Sequence, residues 1–497
     1  MKIRRRSNQA EKMRGCGKTY DAKKELVALK DEVASLRAAV ISEGEARLVD
    51  WGLAAPGEDG ARNLALYLSL RSRDLSALQL RLAAFGLSSL GRSEADVLTS
   101  LDALLATLRR LCGEKADYPM READDPLKRA CDAVFGPAAE RRTRIMATLP
   151  SEAADDPTLV SALIAAGMDC ARINCAHDEA RAWRRMAGHV RAAAERQGRA
   201  CRILMDIGGP KLRIEAVRGP EKCRLGAGDR LILTERLDPR GKGVVASLNF
   251  PEAVKELKLG MEISFDDGKA AGRVVARGDA GVEVEILSAR AKGLRLKPGK
   301  GVNLPTVELG LSPLTEKDLA DLDSVAELAD LVGFSFVQRV EDISLLEAEL
   351  AARRGDRPPP GLVLKIETPL AVRNLPRLIV RAAARQPTAV MIARGDLAVE
   401  VGFARLSEMQ EEVLWLCEAA HTPAIWATQV LDQLVHEGVA SRAETTDAAM
   451  AQRADCVMLN KGAYLPQGVR FLRDVLDRMD RHQWKKFARL SRLKAWS

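Results

Sequence analysis

The sequence predicts an α/β fold: a TIM (β/α)8 barrel with an inserted all-β lid domain and an N-terminal α-helical domain. Three observations carry this. From residue 143 to 459 short apolar runs alternate with amphipathic stretches, and eight such runs can be counted, the rhythm of parallel strands buried between crossover helices. From 214 to about 298 the rhythm changes to short strands bounded by turn signals at Asp266-Asp267-Gly268 and Asp279-Ala280-Gly281, which reads as hairpins. Before residue 140 the apolar residues recur at three-four spacing, as in Leu29, Val33, Leu36 and Val40, the mark of amphipathic helices.

Bulk properties narrow the function. The 497 residues contain no run of eighteen or more apolar residues and no apolar stretch at the start, so neither a membrane span nor a secretory signal is expected. Nine cysteines without a C-x-x-C pair suit reduced thiols in a cytoplasmic protein. The formal charge is +8, but residues 1–20 and 481–497 together carry a net +12, which leaves about −4 on the rest. The body of the chain is therefore not expected to bind nucleic acid. The two ends read as basic tails, the first disordered and the second carrying Trp484, Phe487, Leu490, Leu493 and Trp496.

In order, residues 21–140 form the helical domain and linker. Asp74 can cap a helix closing before Gly86, and Ser93-Glu94-Ala95-Asp96 reads as a capping box opening a helix to Leu111. This domain packs as a scaffold or supports a homo-oligomer through its helices. The barrel occupies 141–213 and 299–480. Its strands are expected at 143–148, 169–174, 201–206, 330–336, 362–367, 389–393, 423–427 and 455–459, with Gly301-Val302-Asn303-Leu304-Pro305 resuming the barrel after the lid domain, 214–298. An insertion between a barrel strand and its helix stands on the active-site rim, where it can act as a lid.

Charged residues gather at the carboxyl ends of these strands, the active face of such barrels. Lys365 and Glu367 are two apart and share a strand face. Asp396 follows the next strand, and Gly395 lets a ligand approach the backbone at a helix start. Arg172 and Asn174 end another strand and Asp206 a third. A lysine, two carboxylates and an anion-binding turn are what a metal-bound phosphoryl group requires.

Six motifs, in order, resemble the pyruvate kinase family: Ala-Arg-Ile-Asn (171–174), Gly-Val-Asn-Leu-Pro (301–305), Lys-Ile-Glu (365–367), Ala-Arg-Gly-Asp-Leu (393–397), Ala-Thr-Gln (427–429) and Ala-Asp-Cys-Val-Met-Leu (454–459). The resemblance covers about 143–480 and implies phosphoryl transfer from phosphoenolpyruvate to ADP, giving pyruvate and ATP. It implies Mg2+ or Mn2+ on Glu367 and Asp396, with Lys365 beside the phosphoryl group in flight. It likewise implies Arg172 as a phosphate ligand, Asn174 and Asp206 bordering that pocket, and Thr428 near the enolate carbon. Gly395 and Asp396 would give backbone N–H groups to the substrate carboxylate, and His177 and Arg213 would face the nucleotide, with Asp267 of the lid closing over it.

The chain also departs from that family. Ala176 stands where a serine commonly holds a monovalent cation, Ile207-Gly208 replaces Thr-Lys, Lys211 replaces Glu, and Asn460-Lys461-Gly462-Ala463 replaces Ser-Gly-Glu-Thr. These changes predict an enzyme in which K+ is replaced by Lys211, whose ammonium would neutralise Asp206 and face the phosphate. The family's extra C-terminal domain has no counterpart in the sequence. Two other readings compete: a magnesium-dependent lyase acting on pyruvate-like acids, and a non-catalytic metabolite-binding protein.

Overall fold

Eight parallel strands close into a barrel: Arg144–Thr148, Cys170–Asn174, Arg202–Asp206, Leu331–Phe334, Gly361–Ile366, Thr388–Ala393, Ala424–Ala427 and Cys456–Leu459. Each pairs with the next, and the last returns to the first with Ala147 opposite Leu459. The computed structural model describes residues 21–53, 59–119, 125–138, 141–220, 223–237, 243–305 and 309–488. The first basic end, 1–20, lies outside them, and so does 489–497 of the second end, 481–497, with Leu490, Leu493 and Trp496.

Most barrel strands are buried at every residue, which is why they read as continuous apolar runs rather than alternating ones. The interior packs Met146, Cys170, Leu204, Leu331, Val363, Met391, Ile425 and Met458. Val134 and Phe135, each 1% exposed, join this cluster from the helix Pro126–Phe135. Asp125 caps that helix by accepting from the Lys128 amide at 3.0 Å. The sequence placed this helix with the linker; it belongs to the barrel unit, because its apolar end fills the barrel's interior.

The chain divides into two compact units, Met1–Asp124 and Asp125–Ser497. In the first, the helices are Ala22–Asp50, Asp59–Arg71, Ser76–Ala84 and Val97–Leu111. Leu29, Val33 and Val40 are fully buried, so the three-four stripe does face inward. Asp74 accepts from the Ser76 amide at 2.9 Å. The expected capping box at Ser93 is not the cap. Asp96 caps by accepting from the Thr99 amide at 3.0 Å, while Ser93 donates to the Leu90 carbonyl and the Glu94 carboxylate accepts from the buried Tyr67 hydroxyl.

The inserted domain is a seven-stranded sheet around its own apolar core. The hairpin turn at Asp266-Asp267-Gly268 has positive φ at all three residues, a backbone that Asp tolerates and Gly favours. Val302–Asn303, expected to resume the barrel, instead pairs antiparallel with Glu262–Phe265. The sheet therefore runs to residue 303. At the other end of the chain, Gln483–Trp484 and Phe487–Ala488 form a small hairpin. Its turn buries Lys485, whose ammonium lies 2.7 Å from both oxygens of Asp455.

Candidate active site

The strand ends bring three cations and three carboxylates together. Lys365 is 9% exposed, Glu367 3% and Asp206 1%. Charges this deep persist only when paired. Lys365 Nζ lies 3.1 Å from Asp206 Oδ1 and 3.2 Å from Glu367 Oε1, and donates to the Ser335 hydroxyl. Asp206 Oδ2 accepts from Arg172 Nε at 2.8 Å and sits 2.6 Å from its Nη2. Arg172 Nη1 donates to Thr148 at 3.0 Å, which fixes the guanidinium plane. The close approach needs Gly333, where a Cβ would come 2.8 Å from Asp206 Oδ1.

These pairings set the protonation states. Burial pushes the Asp206 carboxyl up, but Lys365 and Arg172 outweigh it and hold it below its ordinary range. Burial pulls Lys365 down, and Asp206 with Glu367 reverses this, so the ammonium is held above its usual value. Glu367 goes the other way: burial raises it, Lys365 opposes, and the nearby Asp396 adds repulsion. Its Oε2 accepts from the Phe336 amide at 2.6 Å, and Phe336 takes a left-handed φ of 56° to present that amide.

Asp396 lies in the first turn of the helix Arg394–Val401, which starts directly at the end of the strand Thr388–Ala393. Gly395 is required there, since a Cβ would come 2.7 Å from Thr428 Cγ2. Asp396 Oδ1 lies 2.7 Å from Lys211 Nζ, which also reaches Asp267 of the inserted domain at 3.4 Å. This corrects one expectation. Lys211 does not neutralise Asp206, because Arg172 and Lys365 already occupy that carboxylate; it joins Asp396 to the hairpin turn above the barrel.

The other residues fall into two groups. Asn174 turns its Oδ1 back to the Ala176 amide at 3.1 Å, and the Ile207 carbonyl accepts from Ser335 at 2.7 Å. His177 is exposed, on the turn after the Cys170–Asn174 strand. Although its side chain is largely open to solvent, partial shielding pulls the imidazole below its ordinary value, and Lys461, Arg213 and Arg172 add to this. Arg213 donates to the Gly299 carbonyl at 2.9 Å, at the hinge of the inserted domain. Arg172, His177, Arg213 and Lys461 thus make one electropositive side of the site.

Among the described residues no cluster of three or more His, Cys, Asp or Glu is arranged around a metal position. Glu367 and Asp396 are neighbouring oxygen donors, and Asp396 adds to the burial that raises Glu367. That donor set fits a hard divalent cation that keeps open positions for a substrate.

Sequence reasoning gave no role to Ser335, Lys461, Arg394 or Asp447, although Lys461 lies in a segment it marked as a departure. Ser335 follows the apolar strand Leu331–Phe334, the same strand-end signal that marked Lys365. Arg394 lies inside a motif already singled out, and Asp447 is a helical residue with no local signal.

The geometry agrees with comparisons to known proteins. The family model described as "Pyruvate kinase, barrel domain" matches residues 140–466. A protein named pyruvate kinase from Agrobacterium vitis is 34% identical over 355 residues, covering 69% of each chain. One of that name from Thermococcus litoralis is 31% identical over 362 residues, covering 71% of this chain and 73% of its own. Barrel, strand-end charges and inserted sheet all fall within the matched segment, and the chain belongs to the pyruvate kinase family.

Proposed function

We propose that the chain transfers the phosphoryl group of phosphoenolpyruvate to ADP, giving pyruvate and ATP as at the end of glycolysis, in the cytoplasm. The observation that carries this reading is the buried Lys365 ammonium, held between Asp206 and Glu367 with Arg172 on the far side of Asp206. Phosphoryl transfer is catalysed chiefly by positioning and fixed charge. An ammonium held in place by two carboxylates and a hydroxyl sets a fixed positive charge where an anion enters from the rim.

Glu367 and Asp396 would hold Mg2+ or Mn2+. Such an ion supplies Lewis acidity toward substrate oxygens when bound. Arg172 binds the phosphoryl oxygens, and the amides of Gly395 and Asp396 receive the substrate carboxylate at the helix start. Asn174 and Asp206 border the phosphoryl pocket. Thr428 passes a proton to the enolate carbon. His177, Arg213 and Lys461 face the nucleotide phosphates, and Asp267 with the inserted sheet closes over them as a lid.

Potassium independence is part of the proposal, on grounds that differ in part from those the sequence suggested. Each oxygen that would cage a monovalent ion is engaged: Asn174 Oδ1 by Ala176, the Ile207 carbonyl by Ser335, and Asp206 by Arg172 and Lys365. Ala176 contributes no side-chain oxygen. Phosphorus NMR of purified protein with phosphoenolpyruvate, ADP and Mg2+ tests the activity. Appearance of the ATP signals at the expense of phosphoenolpyruvate is expected, and inorganic phosphate alone would contradict the reading.

A further inference from the structure

We propose that Arg394, locked by Asp447, is the positioning residue that sets Thr428 for enolate protonation. The inference rests on the phosphotransferase reading above and deepens it.

Arg394 follows the strand Thr388–Ala393 directly as the first residue of the next helix, and its side chain crosses to the neighbouring strand end. Nε donates to the Ala427 carbonyl at 2.9 Å and Nη2 to the Thr428 carbonyl at 2.7 Å. Nη1 and Nη2 also grip both oxygens of Asp447, at 2.6 and 2.8 Å. The guanidinium lies over the Trp426 ring at 4.6 Å. The fork is thus held on two edges and one face, a geometry that a lysine cannot copy.

What it holds is unusual. Thr428 has a φ of 74°, and Gln429 and Leu431 are also left-handed. A β-branched residue rarely adopts that conformation, and such strain persists only where the surroundings impose it. Here the imposed elements are named: Arg394 binds the carbonyls on both sides of the Thr428 amide, and Gly395 leaves the room that the Thr428 methyl fills. Thr428 therefore has its backbone tied to the same turn that carries Asp396.

This bears on one step. After phosphoryl transfer the enolate's C=C pair forms a new C–H bond at the methylene carbon while C–O becomes C=O. The proton passes from the Thr428 hydroxyl, which solvent reprotonates. Facial delivery of that proton depends on where Thr428 points, whereas phosphoryl transfer depends on Lys365 and Arg172, which Arg394 does not touch in the structure. Misplacement of a reacting group by about 1 Å costs on the order of 100-fold.

The test uses the full chain with Mg2+. Arg394→Lys and the near-isosteric Asp447→Asn are compared with wild type for turnover, KM for phosphoenolpyruvate, the solvent deuterium isotope effect, and deuterium uptake into the pyruvate methyl group in the presence of ATP. For Arg394→Lys, methyl exchange and turnover should fall about 10-fold or more, KM should stay within about twofold, and the isotope effect should rise as protonation becomes limiting. Asp447→Asn should move in the same direction by less. Combining Arg394→Lys with Thr428→Ala should lose no more exchange than Thr428→Ala alone. Unchanged exchange in a folded Asp447→Asn, additive losses in the double variant, or a fall in turnover with an unchanged isotope effect would each overturn the inference. A wild type that neither makes pyruvate nor exchanges its methyl protons would instead overturn the phosphotransferase reading.

Discussion

At the scale of single residues, the account turns on charges buried together. Glu367→Gln and Asp396→Asn should each lower turnover by about 100-fold or more, because a carboxamide is a far poorer ligand for a hard cation. Glu367→Gln takes one of two carboxylates away from the buried Lys365 ammonium and should melt below wild type in the absence of metal. A steady-state assay across Mg2+ concentrations and a thermal melt read the two effects. Lys365→Met should depress turnover much more than it raises KM, as expected for a charge used mainly in the transition state. His177 gives a check on the electropositive side. Its folded pKa lies below the usual value, so the stability tied to its neutral form is present above about 6.5 and is lost as pH falls toward the lowered pKa. Lys461→Met removes a neighbouring positive charge and should move the His177 titration upward by NMR; an unmoved titration would place Lys461 elsewhere.

At the scale of elements, the hairpin turn Asp266-Asp267-Gly268 meets the barrel through Lys211, which bridges Asp267 and Asp396. Lys211→Glu would set a third acid beside those two, so turnover should fall steeply, while the wild type should gain little from potassium over a large organic cation. Strong potassium activation of the wild type would contradict the engaged-oxygen argument. The strand ends were legible in the sequence because a fully buried strand announces itself as an apolar run and any charge at its end must be placed for a reason. Side-chain direction was not legible. The sequence leaves both Asp206 and Asp396 open as partners of Lys211; the structure pairs it with Asp396, while Asp206 is held by Arg172 and Lys365. The segment Val302–Asn303 misled for a related reason: an apolar run does not say which sheet it joins. Asp447 left no trace, since its role depends on a helix that lies 53 residues beyond Arg394.

At the scale of the whole molecule, the useful boundary falls between Asp124 and Asp125. A chain beginning at Asp125 keeps the helix Pro126–Phe135 and should fold and retain phosphotransferase activity. A chain beginning at 139 loses Val134 and Phe135 from the barrel interior and should aggregate or melt much lower, since losing one buried Phe side chain alone costs about 3–5 kcal/mol. Equal stability of the two truncations would mean that the helix is dispensable to the barrel. No helix among the described residues is long and apolar enough to cross a membrane.

The central claim is that Lys365, Glu367 and Asp396 together perform phosphoryl transfer. Its most direct measurement is the initial rate of pyruvate formation from phosphoenolpyruvate and ADP, with wild type and Lys365→Met side by side, with Mg2+ and after chelation. The account predicts pyruvate and ATP in equal amounts from wild type with Mg2+, and near-background rates from the variant and the chelated enzyme. Wild-type protein that binds phosphoenolpyruvate and ADP yet forms no pyruvate, or a Lys365→Met variant as fast as wild type, would contradict it.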